Sequence, residues 1–565
     1  MSVVRKTGYE NPDIFTMEII KDSIVALGDE MFNAMIRTSM SPIIYETTDF
    51  AVGATDAKGN LLAQGNGVAG FLVTLDTAVQ SLFDHYALDE ICDGDVFITN
   101  SPYEGGGTHL SDVVILVPIF FEDQLIAWTV NKAHWTEVGG AQPGSISTSA
   151  TDIYQEGLHF RFLKLYEQGR LVRSLHDLIR DNVRLPESTL GDMHAGVAAA
   201  KVGAKRILDL VSKYGCTSIL LAMDELLDYG EEMTRVELEK LPQGEFEAED
   251  LIESDGLGNG PFHIRVKVTI AEGRMLMDFS GTAAQAPGPI NVSSSGLVTA
   301  TRCVFKCITN PEIPANGGCF RALDIVCPQG TLFSAVKPAP VSLYYETDVA
   351  AMELVWKALA PALKNRLPAG HYRSVSGTFI SGQHLDTNDL FVMGEPLAGG
   401  WGASYDRDGD SGQFSALNGE TFNIPVELFE TRYGIQVEQY SLHNADGGGG
   451  EYLGGKGVVI DYRVTAETAY LTYGATRGES RPWGMEGGQN GSHNYALVIR
   501  EDGKEERYNM CTTVPVKRGE LIRIFTGTGG GYGDPLKRPR QQVSMDLKNG
   551  YITTEQANQQ FNLGV

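Results

Sequence analysis

Basic residues are the scarce charge in this sequence: 45 lysines and arginines stand against 72 aspartates and glutamates, a formal charge of −27. That balance argues against nucleic acid or an anionic membrane surface as a non-specific partner, because each is held through a broad basic footprint. It leaves room for a local anion site. Long apolar runs are missing too. No stretch nears the roughly 20 residues that span a bilayer, and the N-terminus M-S-V-V-R-K-T-G-Y-E lacks a signal-peptide h-region. A cytoplasmic protein is expected. Seven cysteines in 565 residues are sparse and odd in number, which fits reduced thiols. Cys303, Cys307, Cys319 and Cys327 lack the short paired C-x-x-C form of a zinc cage, so buried structural thiols are the better reading. There is no G-x-S-x-G nucleophile elbow. T-G-T-G-G-G-Y-G-D-P at 526–535 lacks the lysine and hydroxyl of a phosphate loop and reads as a tight turn.

What is present describes a folded chain: 42% hydrophobic and 21% charged residues, with length enough for two or three domains. The predicted class is mixed α/β: a helix-rich N-terminal part carrying a metal-bearing strand pair, then a glycine-rich, strand-rich region. Apolar residues at Phe15, Ile19, Ile20, Ile24, Leu27, Met31, Met35 and Ile36 mark an amphipathic helix begun by Asn11-Pro12-Asp13. Strands are expected at Phe50 to Ala54 and Leu61 to Ala63, and helices at Val73 to Tyr86, Leu190 to Lys213, Thr217 to Leu238 and Val298 to Ile308. Helices stop before Pro242, after which short alternating strands and clustered glycines, 65 in all, take over. The expected division is 1–245 for a metal-site domain, 246–535 for a glycine-rich mixed domain and 536–565 for a helical tail, with a capping box between Thr553 and Gln556.

The chain is organised around Asn100 to Ser145. Two apolar strand-like runs, VVILVPIF and QLIAWTV, join near Phe121 to Asp123. A hairpin of that length returns residues near His134 to those near His109 and Asp112, placing two imidazoles and a carboxylate at one end of a sheet. Neutral nitrogens with anionic oxygens suit zinc, manganese or ferrous iron, and a position left to water makes such a site catalytic. Read blandly, His109 and His134 are satisfied loop histidines. Glu46 and Asp49, between the first helix and the first strand, are each placed to add an oxygen ligand. Arg37 is a candidate for binding a phosphate or carboxylate, and Glu137 and His443 for a base or a supporting group. An ion-paired arginine, a solvated acid and a hydrogen-bonded loop histidine are the competing readings.

The motifs R-T-S-M-S-P-I-I-Y-E-T-T-D-F, N-S-P-Y-E-G-G-G-T-H-L-S-D, N-K-A-H-W-T-E-V-G-G, D-N-V-R-L-P-E and N-I-P-V-E-L-F-E-T-R-Y together resemble the hydantoinase B / oxoprolinase family, related to the metal-containing subunits of acetone and acetophenone carboxylases. The resemblance spans nearly the whole chain. It implies that His109, Asp112 and His134 are metal ligands, with Asp49 as the fourth and Glu46 as its alternative. The T-T of Y-E-T-T-D, where relatives often carry basic residues, hints at a different substrate. The family further implies a hydantoinase A-like ATPase partner holding ATP and Mg2+, in a heterotetramer of two copies of each subunit. The expected activity is hydrolysis of a small cyclic amide (hydantoin, oxoproline or another lactam) phosphorylated by that partner and attacked by metal-bound hydroxide, zinc being the favoured ion. The alternatives are an ATP-dependent ketone carboxylase and a non-catalytic structural companion.

Overall fold

A computed structural model describes residues 13–564 of the chain. The fold is mixed α/β and rich in strands. The first helix, Ile14–Thr38, is capped by the Asp13 carboxylate, which accepts the N–H groups of Phe15 and Thr16; Asn11 and Pro12, the other expected start signals, lie outside the described residues. Its buried stripe is Met17, Ile20, Ile24, Leu27, Met31 and Met35. Phe15 and Ile19, expected in that stripe, are 78% and 53% exposed. They stand about 200° around the helix from Met17, so the 3.6-residue period turns them to the opposite face.

The metal-site segment belongs to an antiparallel seven-stranded sheet made of β1 (Phe50–Asp56), β2 (Leu61–Gln64), β3 (Val96–Thr99), β4 (Asp112–Phe121), β5 (Gln124–His134), β6 (Leu163–Glu167) and β7 (Arg170–Leu171). Their order across the sheet is β2-β1-β5-β4-β3-β6-β7. β4 and β5 are its long centre, paired from Asp112↔His134 down to Phe121↔Gln124. Both faces of this pair are covered. Val113, Ile115 and Val117 join a core with the helices Ile14–Thr38 and Pro186–Tyr214, while Val114, Leu116, Trp128 and Val130 meet the short helices Ala69–Leu72 and Leu75–Leu82. Burial on two faces explains why β4 reads as a continuous apolar run instead of an alternating one. The turn uses Glu122 and Asp123 at φ 48° and 63°, the left-handed pair that a two-residue hairpin requires.

Beyond Lys240 the chain builds sheets of four, four and five strands. Two helices, Ser294–Thr309 and Tyr344–Leu359, pack against each other, and the second also lies on the strands Gly244–Ile252 and Phe262–Ala271. The largest apolar core draws on residues from Met17 to Met485. Glycine clusters interlock by direct backbone contact: a Cβ on Gly529, Gly530 or Gly454 would stand within 2.0 Å of a carbonyl oxygen of Trp401, Trp483 or Gly529 respectively. The terminal helices Arg540–Lys548 and Thr554–Gln559 and the residues flanking them pack Val543, Ile552, Ala557 and Phe561 on Leu453, and the Thr553–Gln556 capping box is formed. No helix among the described residues is long and apolar enough to cross a membrane.

Candidate metal centre

Register delivers the centre. Asp112 opens β4 and His134 closes β5 directly opposite it. His109 precedes Asp112 by one turn, closed by the Asp112 N–H on the His109 carbonyl at 3.2 Å. One potential ligand atom from each of the three side chains falls within 4.8 Å of the others, and the three are 0 to 5% exposed. His109 Nε2 stands 3.1 Å from Asp112 Oδ1, and the two imidazole centroids are 5.0 Å apart. His109 Nδ1 donates to the Ser342 carbonyl at 3.2 Å, which leaves Nε2 with its lone pair turned to the cluster.

Asp112 Oδ2 accepts the Thr108 hydroxyl, whereas Asp112 Oδ1 and His134 Nδ1 are buried without a hydrogen-bond partner. Buried polar atoms are nearly always satisfied, so lone pairs left unmet in a group of this composition fit a divalent cation. The charge state of His134 agrees. Burial pulls the His134 pKa down to about 4, and His109 adds to that, so the imidazole is neutral.

Asp49 lines the same cavity, and its main chain is tied to the centre: its carbonyl accepts the His134 N–H at 3.0 Å. Thr48 beside it adopts φ 59°, with its hydroxyl on the Glu420 carbonyl at 2.7 Å. Burial and then Asp112 push the Asp49 carboxyl well above the ordinary range, and the opposing pull of Lys132 does not offset them. Glu46, its alternative, caps the short helix Pro42–Tyr45 and does not line the cavity. Lys132, two residues before His134 and 2% exposed, lies over the Phe71 ring at 4.6 Å; burial lowers its pKa to about 8 against the pull of Asp112, Asp348 and Asp49.

The three residues assigned to catalysis from the sequence do not line this cavity. Glu137 is fully buried, but its carboxylate is occupied by Arg184 at 3.0 Å, the N–H groups of Gly139 and Gly144, and the Ser145 hydroxyl. It holds together the loop that follows β5. His443 packs its ring on Phe525 with Nδ1 3.4 Å from the Thr526 carbonyl, and Arg37 is exposed in the last turn of the first helix. Arg477, buried in the C-terminal part, pairs with Asp250 at 3.0 Å and Glu353 at 3.5 Å.

The cavity, about 70 Å³, is mainly apolar, with Ile43, Phe71, Phe379 and Leu417 in its wall. One wall went unread in the sequence. The helix Tyr344–Leu359 turns Tyr344, Tyr345, Asp348 and Val349 into the cavity, and the Tyr344 ring lies 5.0 Å from that of His109. The signal was present in Y-Y-E-T-D-V-A-A-M-E-L-V-W, a helix apolar on every side yet carrying three acids, all of them buried. Acids are almost never fully buried without a task.

These features define a buried centre of two histidines and carboxylates at the end of an antiparallel hairpin. The family model described as Hydantoinase B/oxoprolinase matches residues 13–535, and the chain belongs to that family. It is 34% identical over 557 residues to an uncharacterized protein of Methanocaldococcus jannaschii, covering 98% of this chain and 96% of that one. It is 30% identical to the B component of a putative D-/L-hydantoinase of a Pseudomonas species (99% and 96% covered) and 27% identical to the beta component of the caprolactamase of Pseudomonas jessenii (98% and 96%). The crystal structure of the ATP-dependent caprolactamase from Pseudomonas jessenii superimposes with a TM-score of 0.90 at 26% identity, covering 98% of this chain and 97% of that one. Nucleotide-free acetone carboxylase shares the fold, with a TM-score of 0.89 at 18% identity, covering 97% of this chain and 79% of that one.

Proposed function

We propose that this chain is the metal-bearing subunit of an ATP-dependent cyclic amide hydrolase, acting on a ring that a hydantoinase A-like ATPase subunit has phosphorylated. The observation that carries this reading is the set of unmatched lone pairs on Asp112 Oδ1 and His134 Nδ1, beside a largely apolar cavity. His109, Asp112, His134 and Asp49 would hold the ion, zinc by donor type, with manganese or ferrous iron accepted by the same set. When bound, a divalent ion supplies Lewis acidity, lowering the pKa of water and offsetting negative charge on oxygen.

The chain's own residues do the rest. Ser342 fixes the His109 tautomer, and the Phe71, Phe379 and Leu417 wall keeps bulk water from a reactive phosphorylated intermediate. ATP and Mg2+ belong to the partner, in a heterotetramer of two copies of each subunit. Hydrolysis is preferred to carboxylation because the hydantoinase and caprolactamase components match along nearly their whole length.

The test is phosphate release and product mass for the complex given lactams, hydantoins, and acetone with bicarbonate, each with and without chelator. The expected result is a ring that gains the mass of water, blocked by chelator. His134→Ala is expected to lose metal and turnover while the partner still binds nucleotide. A gain of a carboxyl group would establish the carboxylase instead, and full turnover in a metal-free His109→Ala/His134→Ala chain would leave the ion no catalytic role.

A further inference from the structure

The carboxyl of Asp348 sits in the second turn of Tyr344–Leu359, one helical turn beyond Tyr344, so both face the cavity that holds His109, Asp112 and His134. It is 1% exposed, and its Oδ1 has no hydrogen-bond partner in the protein. A buried carboxyl kept only for architecture is normally satisfied on both oxygens, as Glu346 is two residues earlier: Ser374 and Val375 donate to one of its oxygens and Thr476 to the other. Asp348 instead offers its free oxygen to whatever occupies the cavity. The groups that bear on it are Lys132 from β5, the Ala300 amide and Cys303 from the neighbouring helix, and Tyr344 from its own. Burial outweighs Lys132 and the Ala300 amide and keeps the carboxyl protonated far above the ordinary range.

A phosphorylated ring has a partition problem. Water adds across its C=N bond: oxygen bonds to carbon, and the π pair takes a proton at nitrogen. The resulting carbon carries hydroxyl, phosphate and amine. If the C–O bond to phosphate breaks first, the original ring is regenerated and the phosphoryl group is wasted. Phosphate is much the better leaving group unless nitrogen is protonated as its bond breaks.

Building on the function proposed above, we infer that Asp348 is the general acid for the departing ring nitrogen and so couples phosphate release to ring opening. Asp348 gives its proton to nitrogen as the C–N pair leaves with it. The hydroxyl O–H pair becomes the new C=O bond, and the released proton restores the acid. An amine and an acyl phosphate result, and a second water cleaves the latter to carboxylate and inorganic phosphate.

The experiment uses the complex with its ATPase subunit, ATP and a lactam in H2¹⁸O, with phosphate, product, metal content and the isotope in recovered ring all measured. Asp348→Asn is expected to keep its metal, to lose product formation by about 10²-fold or more, and to return ring labelled with ¹⁸O, because futile collapse leaves the water oxygen behind. Asp348→Glu, which keeps an acid in the wall, is expected to return unlabelled ring, as is the wild type. Product within about threefold of wild type in Asp348→Asn, or loss of product with no label in a folded variant, overturns the role. Should Asp348→Asn not fold, the other two arms decide: labelled ring from either overturns the role, and unlabelled ring from both, with product formed, upholds it. A wild-type complex that opens no ring at all fails the functional reading instead.

Discussion

The Glu156 carboxylate accepts the backbone N–H groups of Val341 and Ser342 at 2.8 Å each, and the Ser342 carbonyl in turn receives Nδ1 of His109. The other oxygen of Glu156 is buried without a partner, and burial lifts the group from 4.5 to about 8 despite the two amides. Between those values the folded chain binds a proton that the unfolded chain has lost. This contribution is therefore full below about pH 4.5 and is lost as pH rises towards about 8. Glu156→Gln cannot titrate. The stability of wild type relative to the Gln variant is expected to fall across that window, read as melting temperature against pH; parallel curves would mean that Glu156 is ionised in the fold. At this scale the sequence was half legible. His109, Asp112 and His134 could be grouped because a hairpin of readable length joins them, whereas Asp348 is some 200 residues away. Proximity of Glu137 to His134 along the chain likewise gave no sign of the Arg184 that pairs with its carboxylate in the fold.

Elements were more readable than residues, since each depends on neighbours within a few positions. The helix expected over Leu190 to Lys213 forms as Pro186–Tyr214, and that over Thr217 to Leu238 as Cys216–Lys240. The β4–β5 turn falls at the expected place, but with Glu122 in a left-handed backbone region that Asp123 tolerates better than a glutamate does. Replacing the pair with Asn-Gly is expected to stabilise the hairpin by about 1 kcal/mol, seen as a rise in melting temperature of about 1 to 2 °C with unchanged metal content. A fall would mean that the two side chains contribute more than the turn strain costs. The expected Val73 to Tyr86 helix forms as the shorter Leu75–Leu82, preceded by a separate turn of helix, Ala69–Leu72, whose Gly70 and Phe71 line the cavity.

Over the whole molecule, glycine is the residue that lets distant segments meet. The backbone of Gly529 to Gly531 lies against Trp401, Trp483 and Gly449, so four stretches far apart in sequence share one crossing. Gly530→Ala puts a Cβ 2.0 Å from the Trp483 carbonyl oxygen, and backbone cannot yield as a side chain can. A destabilisation above about 3 kcal/mol is expected, measured as lost soluble yield or a lowered melting temperature; a neutral result would show that the crossing opens at little cost. The sequence alone determined the family, through motifs along the chain, along with the mixed α/β class and a hairpin carrying two histidines and an acid. The family rests on the resemblance of those motifs, whereas the class and the hairpin follow from composition, period and spacing, which are local properties. Only the tertiary structure decided that Asp49 and not Glu46 lines the cavity, that Glu137 and His443 are occupied elsewhere, and that a helix some 200 residues on supplies Tyr344 and Asp348 to the wall. Those outcomes depend on which surfaces bury against each other, a choice made by packing over the whole chain.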